Sequence, residues 1–290
     1  MAVWNSARFL APAVESVLEQ TYGDFELIAV NDKSDDGSEE LLADYARQDT
    51  RVVLINNTSR LGVPATRNIA LEAARGKYVA IMDADDISTS NRFEVQVKTL
   101  EEHRELVAAG SDVALIDPFG KEIRKHVVMP RSHDEIDQSL LSCGWPIVHP
   151  SFMARTEAMR LIGGYRLQYA GGSDHDLFLR MSEVGKLTNL PVVLLRYRLH
   201  LHNISLRMPG LLDQMVADAA ARRGIALPVK RSGPTLLGTN FIFDSATKLK
   251  RIQWAFLDML SFDRQRMSKV LSALGELAVS RLQSSWTKTN

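Results

Sequence analysis

Asp83, Asp85 and Asp86 put three carboxylates within four residues, directly after the apolar run Tyr78 to Met82. The run has the length and β-branched content of a buried strand. Carboxylates crowded at a strand end repel one another unless a cation neutralises them, and strand ends are where ligands bind in an open α/β sheet. A hard divalent metal carrying phosphate oxygens suits such a group, because Mg²⁺ takes one or two protein carboxylates and fills its remaining positions with water and substrate oxygens. One acid here would read as an acidic turn capping the next helix. Three favour a binding site, with Asp86 left to the helix start.

A second acidic pair, Asp174 and Asp176, follows Gly171-Gly172 at a predicted helix N-terminus. One of the two is expected to act as a helix cap, a role that contributes about 1 kcal/mol. The glycines read as a hinge. Beyond the next apolar run, Leu190 to Leu195, stand His200 and His202, whose closeness in sequence raises the chance of a metal contact only modestly. Asp32 ends another apolar run, Phe25 to Val30. Arg67 opens a helix after Gly62-Val63-Pro64 and offers a guanidinium suited to phosphate, against the plain alternative of a solvated helix arginine.

The elements that must position these residues follow from the apolar periodicity. Leu10, Val14, Val17 and Leu18 give a helix as the first firm element. Strands at Phe25 to Val30 and Val52 to Ile55 then alternate with helices at Ser38 to Gln48 and Thr66 to Ala74. That alternation predicts a parallel sheet with helical crossovers, and it sets Asp32 on the same rim as Asp83, Asp85 and Asp86. A helix at Asn91 to Glu102 precedes a hairpin, Val107 to Ile116 with Glu122 to Met129, so the sheet should be mixed. From about Pro209 the texture changes to three helices, Leu211 to Arg223, Ser245 to Leu260 and Asp263 to Ser284. This tail has 12 Lys and Arg against 6 acids, read first as a solvated basic face and, less favoured, as a membrane-surface contact.

Composition bounds the rest. With 290 residues, 45% hydrophobic and 24% charged, the chain can bury a sizeable core. Lys and Arg at 35 balance Asp and Glu at 35, so nothing global argues for nucleic acid, and phosphate recognition must be local. A single cysteine, Cys143, excludes an internal disulfide framework and a thiolate metal cluster. No apolar run approaches a bilayer span and the first residues lack a signal peptide's features, so a cytoplasmic location is expected, with the basic tail offering peripheral attachment at the inner face of the membrane.

In order along the chain, these segments resemble the family 2 glycosyltransferases of the GT-A fold. Val3-Trp4-Asn5 stands where that family usually has Val-Tyr-Asn at the end of its opening strand. Asn31-Asp32-Lys33-Ser34-Asp35-Asp36-Gly37-Ser38 is similar to its Asp-Asp-Gly-Ser-Thr-Asp-Gly-Ser loop, and Gly62 to Asn68 to its Gly-x-x-x-x-Arg-Asn segment. Asp83-Ala84-Asp85 resembles the Asp-x-Asp motif, and Ser173-Asp174-His175-Asp176-Leu177 the Glu-Asp-x-Asp-Leu motif. Asn31 and Ser173 depart from the acids usual at their positions.

The resemblance implies an α/β GT-A fold: a mixed, mostly parallel central sheet flanked by helices over residues 1–209, with a helical appendage over 210–290. It further implies a nucleotide-diphosphate sugar donor, above all a UDP-sugar, and a Mn²⁺ or Mg²⁺ cofactor. Transfer would go with inversion to a hydroxyl of a glycan or lipid-linked acceptor. Donor binding would fall to Asn5, Asp32 toward the base, Arg67 toward base or diphosphate, and Asp83 toward the ribose. Asp85 would hold the metal, with His200 or His202 a further contact, and Asp174 would be the general base. The chain opens at the end of the family's first strand, which is therefore expected to be largely missing, with donor affinity weakened. Two other readings stand beside this one: a nucleotide-sugar binder without turnover, and a haloacid-dehalogenase-like phosphatase with Asp83 as nucleophile.

Overall fold

Five consecutive residues that are all inward-facing, Leu27-Ile28-Ala29-Val30-Asn31, form a strand covered on both faces and so the centre of the first sheet. In this computed structural model residues 1–200 and 211–225 are described. The first elements are β1 (Ala2–Val3), α1 (Ala7–Leu18), β2 (Leu27–Asn31), α2 (Ser38–Gln48), β3 (Val52–Asn56) and α3 (Val63–Ala73). Their strands pair in parallel in the order β1-β2-β3. Helix α1 buries Leu10, Ala13, Val14 and Val17, the stripe its periodicity predicts. β1, which the periodicity leaves out, is two residues long and is seen only because its ladder to Val30 and Asn31 defines it.

The second group comprises β4 (Tyr78–Ala80), β5 (Ile87–Ser88), α4 (Arg92–Glu102), β6 (Leu106–Ile116), β7 (Glu122–Val127), α5 (His133–Leu141), β8 (Met153–Arg155), α6 (Thr156–Leu161), α7 (Ser173–Val184), β9 (Lys186–Arg198) and α8 (Leu211–Arg223). Its six strands run β4-β8-β6-β9-β5, with β7 on β6 as the hairpin expected there. β6 and β9 are parallel while the other pairs are antiparallel, a mixed sheet. β9 extends well past the predicted Leu190 to Leu195. Its pairing with β6 slips between Ser111 and Asp112, which face Leu190 and Val193, and that slip accommodates Pro191 within a strand.

Asp86 corrects an expectation: it does not start a helix. α4 begins at Arg92 behind Asn91, and Asp86 precedes the short strand β5. Phe152, Phe178, Ile136, Leu140 and Met159 centre a core between α5, α6, α7 and the sheet. α8 adds Met215, Val216 and Ala219 to that core, so the division at 209/210 falls just ahead of a helix that packs on α5 and α7.

The chain forms two compact units, residues 1–198 with 204–238 in one, and 199–203 with 239–290 in the other. Leu199 and His200 fall in the second. His202 and the two helices expected at Ser245 to Leu260 and Asp263 to Ser284 lie outside the described residues. Among the described residues no helix is long and apolar enough to cross a membrane.

Candidate active site

The acids stand just past the ends of β2 and β4, strands of the two sheets. Asp32, one residue past β2, is buried, and its carboxylate organises the loop ahead of α3. Oδ1 accepts from Asn57 Nδ2 and from the Leu61 N–H, both at 2.8 Å, and Oδ2 accepts from the Gly62 N–H at 2.8 Å. Burial pushes this carboxyl up, but those donors hold it below the usual range. Asn5 sits in the left-handed region (φ 48°) and locks the neighbouring loop, donating through Nδ2 to Asp35 Oδ1 at 2.7 Å and accepting the Asp35 N–H at 3.0 Å. Between these loops the Arg60 guanidinium stacks on the ring of the exposed Trp4. In the sequence this pair has only one signal, an aromatic residue, Trp4, just past a strand.

At the end of β4 the carboxylate oxygens of Asp83, Asp85 and Asp86 lie within 4.8 Å of one another. Asp83 Oδ1 accepts from Arg67 Nη2 at 2.7 Å, so Arg67 is not a solvated helix arginine. Burial raises the Asp83 carboxyl, but Arg67, with His149 and the Met1 amine, together outweigh it and hold the group below the ordinary value. Asp86 behaves in the opposite way. It is 1% exposed; Oδ1 accepts the Arg198 N–H at 2.8 Å, and Oδ2 is buried with no hydrogen-bond partner. Burial, then the charges of Asp85 and Asp83, push its carboxyl well above the usual range. The donor set is all hard oxygen, one oxygen is orphaned, and the crowding disfavours ionisation, so the residues fit a divalent cation. Among the described residues the group that could hold a metal is Asp83, Asp85 and Asp86; His200 belongs to the second unit and His202 lies outside the described residues.

Two arginines that the motifs did not flag brace the acidic turn. Arg92, fully buried in the first turn of α4, donates through Nη2 to the carbonyls of Ile81 (2.8 Å) and Phe152 (3.2 Å), and burial lowers its pKa to about 9. Arg198, at the end of β9, donates Nε–H to the Asp85 carbonyl at 2.6 Å. A guanidinium with several donors in a fixed fork can hold a backbone turn from one side, which a lysine cannot.

Asp174 lies half-buried in the first turn of α7, its Oδ1 accepting the His175 N–H at 2.9 Å. Burial raises its carboxyl above the ordinary value; Arg67 opposes this and Asp83 adds to it. Arg67 thus lies within electrostatic reach of both acidic groups. Tyr165 completes the arrangement. Its ring lies under the Arg67 guanidinium (5.6 Å), its hydroxyl bonds His149 Nε2 at 2.9 Å, and its backbone is clamped from both sides by Asn68.

Asp176 does no capping. It is buried against Arg180, 2.6 Å from Nη2, with Arg166 at 3.5 Å. The expected hinge also has a different cause. Gly172 has an extended backbone (φ −166°) and lies under α8, where an added Cβ would come 2.8 Å from Met215 Cε. Its small size is needed for close packing of α8 on the Asp174 loop.

The chain is similar in sequence and in fold to known proteins. The model of Glycosyl transferase family 2 matches residues 1–162. The uncharacterized glycosyltransferase MJ1057 of Methanocaldococcus jannaschii is 32% identical over 202 residues, 69% of each chain. EpsE of Bacillus subtilis is 35% identical over 188 residues, 64% of this chain and 66% of EpsE, so the chain spans about two thirds of these relatives' length. Among solved structures, Staphylococcus aureus TarS 1-349 in complex with UDP-GlcNAc gives a TM-score of 0.64 at 13% identity, covering 94% of this chain and 79% of that one. The mannosyltransferase PcManGT of Pyrobaculum calidifontis, in complex with GDP-Man and Mn²⁺, gives 0.56 at 17% identity, covering 99% and 81%. At those identities the likeness is one of fold, α/β with helices flanking a central sheet. Neither the phosphatase nor the turnover-free binder is favoured.

Proposed function

Because this chain belongs to glycosyl transferase family 2, we propose that it moves a sugar from a nucleoside-diphosphate donor to an acceptor hydroxyl by direct displacement with inversion. The observation that carries the reading is the position of Arg67, ion-paired with Asp83 on the rim and within electrostatic reach of Asp174 on α7. One basic side chain so placed lies beside the donor's phosphates and keeps the general base on the same site.

Asp174 takes the proton from the acceptor hydroxyl. Burial holds its carboxyl above the ordinary value, which makes the carboxylate a stronger base than one in water. Asp32 orders the Leu61-Gly62 backbone on the side of the nucleobase, Asn5 orders the facing loop, and Asp83 turns toward the ribose. Asp85 with Asp86 would hold Mn²⁺ or Mg²⁺, with His200 or His202 a further contact. When bound, the cation supplies positive charge against the departing nucleoside diphosphate. Relatives in complex with UDP-GlcNAc and with GDP-Man support a nucleotide-sugar donor. A UDP-sugar and a glycan or lipid-linked acceptor are the pair we propose.

Calorimetric titration with UDP in the presence and absence of Mn²⁺, followed by donor turnover in wild type and Asp174→Asn, tests this. Asp174→Asn should bind UDP normally and lose turnover. Unchanged turnover removes Asp174 from the base role, and UDP affinity indifferent to Mn²⁺ in wild type and Asp85→Ala alike removes the metal. His200→Ala and His202→Ala, measured the same way, test the remaining contacts.

A further inference from the structure

His149 is a buried titratable side chain to which the transfer reaction gives no task. It opens the short turn His149–Ser151 ahead of β8, is 6% exposed, and bonds the Tyr165 hydroxyl through Nε2 at 2.9 Å. Its Nδ1 is buried with no hydrogen-bond partner among the described residues. The ring packs edge-on against Tyr165 (5.8 Å between centroids) and tilted against Phe178 (5.9 Å). An apolar side chain would fill this place in the core without orphaning a nitrogen. What an imidazole adds there is an acceptor for the phenol. With the Tyr165 O–H donating to Nε2, Nδ1 carries the ring hydrogen and is left over; the opposite arrangement would strand the phenol hydrogen as well.

Tyr165 is in turn held at every polar atom. Asn68 accepts its N–H through Oδ1 at 2.8 Å and donates Nδ2–H to its carbonyl at 2.7 Å, which ties this backbone to α3. The approach is close: Gly164 has φ +65°, and a Cβ added there would come 2.6 Å from Asn68 Oδ1. With its backbone held by Asn68 and its hydroxyl by His149, the ring is fixed at both ends. Its centroid lies 5.6 Å from the guanidinium of Arg67, the neighbour of Asn68 on α3. That guanidinium donates through Nη2 to Asp83 Oδ1 at 2.7 Å and pulls the Asp174 carboxyl down against the effect of burial. Burial, with the charge of Arg67, holds the imidazole well below its usual range, and burial pushes the phenol up, so both rings stay neutral beside the arginine.

We propose that His149 and Tyr165 are positioning residues that act through Arg67: the imidazole fixes the phenol, and the phenol ring fixes the guanidinium where one positive charge serves both Asp83 and Asp174. This assignment rests on the reading of Arg67 as a phosphate contact and of Asp174 as the base. A guanidinium released from the ring has two consequences. Its grip on a diphosphate weakens, and the Asp174 carboxyl rises further, because the other charge acting on it, that of Asp83, also raises it.

Tyr165→Phe, His149→Leu and His149→Gln are compared in the full chain, with UDP and Mn²⁺ as the calorimetric probe. The titration midpoint of Asp174 is followed in metal-free protein by carbon-13 NMR of labelled aspartate, its signal assigned by its loss in Asp174→Asn. Tyr165→Phe and His149→Leu should weaken UDP binding about three- to tenfold and raise the Asp174 midpoint by about half a pH unit or more. His149→Gln, whose Oε1 can accept from the phenol, should stay close to wild type in both. A purely structural role would lower Tm and leave the midpoint unmoved, and that result overturns the proposal. A His149→Gln protein that behaves as His149→Leu does so too. In an Arg67→Gln background Tyr165→Phe should have no further effect on UDP affinity; an added loss means that Tyr165 acts by another route and also overturns it. If His149→Leu does not fold, Tyr165→Phe and its cycle with Arg67→Gln carry the decision. Neither readout depends on turnover, so an Asp174→Asn protein that keeps full turnover removes the base role while affinity and midpoint still decide the placement of Arg67.

Discussion

Asp86 and Asp112 are both strand-associated carboxylates hidden from water, 1% and 0% exposed, yet their surroundings are opposite. Asp112, on β6, accepts from Arg131 through both oxygens (2.7 and 2.6 Å), from the Met129 N–H at 2.8 Å, and bonds His126 at 2.5 Å. Burial raises its carboxyl but these partners overcome that and hold it below the ordinary range. Asp86 has one backbone donor, an orphaned oxygen and two acidic neighbours, and its carboxyl is driven well above that range. A buried acid with a full set of partners is part of the scaffold, whereas one left short among other acids belongs to a group that could hold a cation. Asp176 and Asp174 repeat the contrast on α7. Asp176 is closed off by Arg180, while Asp174 stays half-buried.

Substitutions can sharpen or break this division. The largest effect is expected for Asp174→Asn, with turnover down by about 10²- to 10⁴-fold and UDP affinity unchanged, read from steady-state rates and calorimetry. Next comes Asp112→Ala, which leaves Arg131 charged and partly buried without its carboxylate. Chemical denaturation should show a loss of about 3–5 kcal/mol, with Mn²⁺-dependent nucleotide binding retained in the protein that remains folded. A loss as large in Asp86→Asn would erase the distinction. A divalent ion at about 100 times its Kd should stabilise the wild type by about 2.7 kcal/mol in thermal melts, and Asp85→Ala should lose that gain. The smallest effect is that of Asp86→Asn without metal, a rise of about 1 kcal/mol from removing a carboxyl whose ionisation burial, Asp85 and Asp83 disfavour.

The two acids also part company in pH. The Asp112 carboxyl is lower in the folded than in the unfolded chain. Its contribution to stability is therefore present above the unfolded value near ~4 and is lost as pH falls through the folded value. The Asp174 carboxyl is higher than usual and acts as a base only when ionised. Turnover should thus fall as pH drops through that raised value, well before Asp112 is protonated. A pH–rate profile and acid unfolding curves separate the two limbs, and coincident limbs would show that loss of activity is loss of fold.

Much of the fold was legible because burial on both faces leaves a mark in sequence. The runs behind β2, β3 and β4 and the stripes of α1 and α4 all read as elements, whereas the single parallel sheet expected to carry Asp32 and Asp83 is divided, β2 standing in one sheet and β4 in another. The two-residue strands β1 and β5 were not legible, since two residues carry no period and exist only through their partners. Arg92 and Arg198 escaped notice for a related reason. An arginine's sequence neighbours do not tell whether it ends in water or on a carbonyl 60 residues away, as Arg92 does on Phe152.

By itself the sequence determined the order of strand, acidic loop and helix, and with it the acids that stand just past strand ends. Local periodicity and the directionality of parallel strands suffice for that. Only the tertiary structure decided which acids are neutralised, by Arg180, Arg131 and Arg67, and which is left with an unpartnered oxygen. Charge compensation depends on atoms within a few ångströms in space, and these partners lie 4, 19 and 16 residues away in the chain. The same holds for Gly172, whose place in the sequence suggested a hinge and whose contact with Met215 shows a packing constraint instead.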